Sequence, residues 1–171
     1  MRISKKMEAA LNEQINAELY SSYLYYAMAA YLEAENFRGM ANWMKVQAQE
    51  ELVHVTKFFE YVNERGGRVV LDAIAKPPSE WDSPADAFAQ AYAHEQMISD
   101  RINRLVAIAE EEKDRATLAF LQWFVTEQVE EESSAKTVAD QLAMLAGASH
   151  TLFMMDRELG QRTFTPPAAT P

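Results

Sequence analysis

The residues best placed to do chemistry in this chain are glutamates and one histidine that interrupt apolar helical faces. They are Glu18, then Glu51 with His54, then Glu95, then Gln128 with Glu131. Glu51 and His54, within "QAQEELVH", stand at i and i+3, so on a helix they share a face and can chelate one ion. Several buried carboxylates cannot share a site while all ionised, because desolvation and mutual repulsion both oppose it. Either most are protonated, or a multivalent cation holds them together. Carboxylates with one imidazole are hard and borderline ligands, which suit iron or manganese better than a soft metal. A lone Glu-x-x-His on a helix is commonplace and says little.

The elements that must position these groups are four long stretches with apolar residues at alternating spacings of three and four. The first, residues 5–35, carries Leu11, Ile15, Glu18, Ser22, Tyr25, Ala29 and Leu32 on one stripe. The second, 38–65, carries Met40, Met44, Gln47, Glu51, His54, Phe58 and Tyr61. The third, 84–112, runs from Phe88 through Glu95 to Ala109, and the fourth, 115–146, from Leu121 through Gln128 and Glu131 to Leu145. Such stripes mark the helices of a bundle, and their length sets them apart from strands.

The breaks agree. Gly66 in "NERGGRV" suits the position just past a helix end. Ser83-Pro84 with Asp86 combines a cap, a first-position proline and a first-turn acid. The first and third connections are short enough to force hairpins, whereas residues 66–83 can return the chain along the whole bundle. The expected fold is therefore all-α: a four-helix bundle with one long crossover between helices 2 and 3. "SHTLFMMDREL" reads as a short fifth helix. One domain is expected over residues 1–160, with a disordered tail over 161–171.

Each polar group lies about 10 to 17 residues into its helix, roughly 15 to 25 Å along the axis, so all can meet at one level. Four interruptions at one level weigh far more than one Glu-x-x-His. A plain polar layer that fixes the register of the bundle is the competing explanation. An inward Glu from each of two helices, with Glu-x-x-His motifs on the others, is how helical bundles build di-iron centres.

Composition narrows the rest. The chain has 171 residues, 49% of them hydrophobic and 25% charged, with five Gly, six Pro and no Cys. Without Cys there is no disulfide, zinc ribbon or thiolate cluster. The net charge of −10 argues against nucleic acid or an anionic membrane and favours cations as counter-species. The start "MRISKKMEAALNEQ" lacks an apolar signal core, and no apolar run of about 18 residues occurs, so a cytoplasmic protein is expected.

At these residues the chain resembles the non-haem ferritins of bacteria and archaea, over residues 5 to about 160. The matching stretches are "LNEQINAELYSSYLY", "NWMKVQAQEELVH", "HEQ" and "FLQWFVTEQVEEE", a specific set taken together. The resemblance implies a ferritin-like fold, iron storage and ferroxidase activity: Fe(II) oxidised by O2 or peroxide at a di-iron centre and stored as ferric mineral. It also implies a homo-oligomeric cage, usually of 24 subunits. Carried over by motif, Glu18, Glu51 and His54 hold a first iron, and Glu51 bridges to a second held chiefly by Glu95. Gln128 and Glu131 stand where bacterioferritins have Glu-x-x-His, which implies a weaker, more readily vacated second position. Glu50, Glu127 and Glu130 match a third iron site, while Glu132 is expected on a solvated face. Tyr25 matches a tyrosine near the centre, an electron donor or hydrogen-bond partner. Tyr23 and Tyr26 are expected to pack, and Trp123 either lies near the centre or packs in the core or on the surface.

Other readings fit less well. Bacterioferritins bind haem through a methionine where this chain has Leu52, so no haem is expected. A rubrerythrin-type peroxidase needs a second Glu-x-x-His and usually a Cys-rich domain. DNA-protecting mini-ferritins build their centres between subunits. A purely structural or partner-binding bundle remains the alternative outside enzymes.

Overall fold

The computed structural model describes residues 2–145 and 149–166. The chain folds into α1 (Lys5–Ala34), α2 (Arg38–Glu64), α3 (Pro84–Glu111), α4 (Arg115–Met144) and α5 (Ser149–Leu159), with no strand among the described residues. Local chemistry explains the boundaries. Ser4 caps α1 by accepting the Met7 N–H at 2.9 Å, and Asp114 caps α4 through Thr117 N–H at 3.2 Å. Each such cap is worth about 1 kcal/mol. Ser83 caps α3, with Pro84 at the first position and Asp86 in the first turn. Gly66, at φ 68°, ends α2: its own N–H reaches Asn63 O and the Gly67 N–H reaches Val62 O, both at 2.9 Å. This pair of hydrogen bonds satisfies two of the last carbonyls and needs a left-handed residue.

The two hairpins turn through single left-handed residues, Asn36 and Lys113. Helices α1 and α2 form one antiparallel pair, α3 and α4 the other. Helix α2 therefore runs parallel to α3, and the crossover must travel the length of the bundle. It is held along α1 by Asn12, which donates to Arg68 O and accepts from Val70 N–H, and by Asn16, which donates to Ala73 O. Trp81 closes it, buried in the core with its indole N–H on Gln90.

The core has two apolar halves. One joins the start of α1 to the ends of α2 and α3 and the start of α4, from Met7 and Leu11 to Phe58, Ile102 and Phe124. The other joins the opposite ends, from Tyr25 and Leu32 to Met44, Phe88 and Val138, with Met155 of α5. Between the halves lies a buried polar layer. Tyr23 and Tyr26, expected to pack, are instead exposed on this chain, 53% and 44%.

Helix α5 docks on the start of α2. A Cβ on Gly39 would lie 1.6 Å from the Asp156 carbonyl oxygen, so only glycine permits this approach. In return the Asp156 carboxylate accepts the Met40 N–H at 2.9 Å, supplying the acid that α2 lacks in its first turn. Residues 161–166, expected as disordered tail, run on from α5 along α2, where Asn42 donates to the Arg162 carbonyl at 2.9 Å. Residues 167–171 lie outside the described residues.

Candidate metal centre

Each helix delivers its polar group to the mid-level of the bundle because the apolar turns on either side are buried. Glu18, Glu51, His54, Glu95, Gln128 and Glu131 are each at most 5% exposed. One ligand atom from each of Glu18, Glu51 and His54 lies within 4.8 Å of the others. His54 Nδ1 is 3.2 Å from Glu51 Oε2 and 3.8 Å from Glu18 Oε2; the second distance is too long for a hydrogen bond and acts through charge. Glu18 Oε1 accepts from Gln14 at 2.7 Å, whereas Glu18 Oε2 is buried with no hydrogen-bond partner. A buried carboxylate oxygen without a donor is costly, and a cation among these three residues would satisfy it. The donor set of two carboxylates and an imidazole fits iron.

The second half of the layer comes from α3 and α4. Tyr25 donates to Glu95 Oε1, and Gln128 Nε2 donates to Glu95 Oε2 at 3.2 Å. Gln47 joins the halves: its amide nitrogen donates to Glu51 Oε1 at 3.2 Å and to Glu131 Oε2 at 2.5 Å. Trp123 meets His54 edge to face, with centroids 5.6 Å apart, and Lys57 lies over the indole.

Crowding controls protonation. Burial and the Glu95 charge push Glu51 well above the usual carboxylate range, despite His54 beside it. Burial and Glu95 likewise push Glu131 up to about 8. Glu95 is raised by burial, partly offset by the bonds from Tyr25 and Gln128. Burial opposes the charge on His54, but Glu51 and Glu18 outweigh it and hold the imidazole well above its ordinary value. Burial also opposes ionisation of Glu18, yet neighbouring His54 outweighs it and keeps that carboxyl below its ordinary value. The layer thus holds protons that a multivalent cation can replace.

The residues expected at a third site divide. Glu127 is half-buried, and one of its oxygens groups within 4.8 Å with ligand atoms of His54 and Glu131. Glu50 is engaged by Arg162 at 2.5 Å, and Glu130 is exposed. Glu132, expected on a solvated face, is half-buried and accepts from Ser99. Four participants were not singled out from sequence: Gln14, Gln47, His94 and Arg162. Gln47 had a signal, a polar residue one turn before Glu51 on the same stripe. His94 accompanies Glu95 into the layer, pairs with Ser21 Oγ at 2.7 Å, and is pushed by burial down to about 4.

Comparison with known proteins agrees with this architecture. A ferritin-like domain model matches residues 8–145. A bacterial non-heme ferritin of Bacteroides fragilis is 44% identical over 160 residues, covering 94% of this chain and 99% of that protein. One from Staphylococcus epidermidis is 41% identical over 162 residues, covering 95% and 98%. Among solved structures, a closed form engineered from Archaeoglobus fulgidus ferritin superposes with TM-score 0.94 at 53% identity, covering 95% of this chain and 99% of that one. A humanized archaeal ferritin gives 0.95 at 52%, covering 96% and 99%. With a ferritin-like domain over residues 8–145 and bacterial and archaeal ferritins matching nearly the whole chain, the protein belongs to the ferritin family, with the non-haem iron-storage ferritins of bacteria and archaea.

Proposed function

We propose that this ferritin is a ferroxidase whose substrate iron enters the mid-bundle layer as Fe(II). The observation that carries the reading is the fully buried Glu18 Oε2, which makes no hydrogen bond and groups with Glu51 and His54. Glu18, Glu51 and His54 take one ion. Glu51 extends to a second, held chiefly by Glu95, with Glu131 and the neutral Gln128 as weaker contributors. Neutral Gln128 in place of a charged or imidazole ligand makes the second position the one that iron leaves. Each of the paired Fe(II) ions gives up one electron, so together they supply the two that, with two protons, reduce O2 to the peroxide level, and peroxide is itself an alternative oxidant.

The chain's own groups do the rest. Glu51, Glu95 and Glu131 surrender protons as cations arrive, so charge in the layer stays nearly balanced. Tyr25 holds Glu95 in place and is positioned to donate an electron or proton. Glu50, Glu127 and Glu130 form a third position through which ferric iron passes to mineral. The working form is a homo-oligomeric cage, of 24 subunits by resemblance, in the cytoplasm of a bacterium or archaeon.

The test adds Fe(II) to apo protein without oxygen, then admits O2 and follows ferric absorbance together with particle size. Fast oxidation by a large hollow particle is expected. Glu51→Ala and His54→Ala should slow the fast phase severely, while Glu130→Ala should change later turnover. A small particle that oxidises nothing, or wild-type rates in all three variants, would overturn the reading.

A further inference from the structure

Arg162 lies within the stretch that composition marks as tail, yet its guanidinium is engaged on three sides. One nitrogen donates to Glu50 Oε2 at 2.5 Å and to Gln47 Oε1 at 2.9 Å. The other donates to the Trp43 carbonyl at 3.3 Å, and the guanidinium carbon sits 4.3 Å from the Trp43 ring centre. The backbone is anchored upstream by Asn42, by Asp156 on Met40 N–H, and by the glycine-only approach at Gly39. Downstream, Phe164 and Thr165 line a cleft of about 240 Å³ together with Glu50, His54, Trp123 and Glu127. The charged head thus lies at the α2–α4 mouth of the centre.

We propose that Arg162 serves as an internal cation on Glu50, making residues 160–166 a strap that an incoming metal ion displaces before Glu50 can act with Glu127. The proposal rests on the third-site reading above and adds what controls access to that site. An arginine has donors only, so the Gln47 oxygen must face it and the Gln47 amide nitrogen must face inward to Glu51 and Glu131. The strap therefore also sets the orientation of an amide that holds two carboxylates of the centre. Glu50 cannot serve Arg162 and a metal ion with the same oxygen. Charge-assisted contacts of this kind are strong enough for the competition to be measurable.

The test uses full-length, assembled protein and terbium(III), an oxygen-seeking, redox-inert probe whose luminescence is sensitised by nearby indoles. Wild type, Arg162→Gln, Arg162→Lys, Glu50→Gln and the Arg162→Gln/Glu50→Gln double variant are titrated, with helix content checked by circular dichroism. Arg162→Gln should tighten one class of sites roughly tenfold, the size expected for loss of one charge-assisted competitor. Arg162→Lys, which keeps the charge, should stay near wild type. The double variant should match Glu50→Gln, which lacks that class. If Arg162→Gln binds no tighter while Glu50→Gln loses the sites, the strap proposal fails and the third site stands. If Glu50→Gln binds as wild type does, Glu50 is no ligand and both readings fail.

Discussion

Tyr25 of α1 donates its phenolic hydrogen to Glu95 of α3 inside the bundle, so one hydroxyl ties the first hairpin to the second at the level of the proposed metal centre. The bond favours the charged form of Glu95 against a burial that disfavours it. Tyr25→Phe should leave the fold intact and cost about 1–2 kcal/mol of apo stability. It should also move the pH midpoint for binding a redox-inert divalent ion such as Zn(II) upward, read by isothermal titration calorimetry. An unchanged midpoint would mean that the hydroxyl plays no part in preparing Glu95.

The metal-binding role proposed for Glu51 runs against the stability of the apo fold. It is raised well above its ordinary range by burial and by Glu95, so the apo fold bears the desolvation of a group that only a cation fully satisfies. Glu51→Gln should stabilise the apo protein at neutral pH by about 1–3 kcal/mol, since glutamine is neutral without the proton that a buried Glu51 must take up on folding. The same change should abolish the rise in melting temperature that Zn(II) gives the wild type. Melting curves with chelator and with Zn(II) check both signs.

Glu131 gives a pH signature. Its carboxyl titrates near 4.5 when unfolded and is pushed up to about 8 in the fold. Between those values the folded chain holds a proton that the unfolded chain has lost. Its contribution to apo stability is thus fully present below about 4.5 and is lost as pH rises through 8. The stability difference between wild type and Glu131→Gln, followed by denaturant unfolding of apo protein, should shift against the wild type across that window. A pH-independent difference would place the titration elsewhere.

Gly39 controls the docking of α5. Any side chain there meets the Asp156 carbonyl, so Gly39→Ala should cost about 1–3 kcal/mol by overpacking or release α5 from α2. Hydrogen exchange should show faster amides at 150–160 and at Met40, whose N–H loses the Asp156 carboxylate. Protection unchanged at both places would contradict this docking.

The sequence makes the four long helices plain because their stripes are long, and it makes the polar layer plain because Glu18, Glu51, His54, Glu95, Gln128 and Glu131 each interrupt a stripe. What it hides are partners that carry no periodicity. Arg162 meets Glu50 across 112 residues, from a Pro-rich stretch whose composition reads as disorder. His94 is concealed beside Glu95, since two adjacent helical residues do not share a face unless both flanks are buried. Glu50, Glu127 and Glu130 look alike in sequence, yet an arginine, a half-buried groove and open solvent give them three different environments. The exposure of Tyr23 and Tyr26 follows from the stripe as well, because Ser22 and Tyr25 occupy the inward positions beside them.

The long crossover also sets an order of events during synthesis. Glu18, Glu51 and His54 all belong to the first hairpin, whose pairing closes through the three-residue turn at Asn36 and so involves little loop entropy. Glu95, Gln128 and Glu131 arrive only after the chain has retraced the full bundle and formed a second hairpin. A nascent chain emerging from the ribosome therefore presents all three residues of the proposed first metal position before α3 exists. The meeting of the two hairpins, whose contacts are the most distant in sequence, is the step expected to be slow.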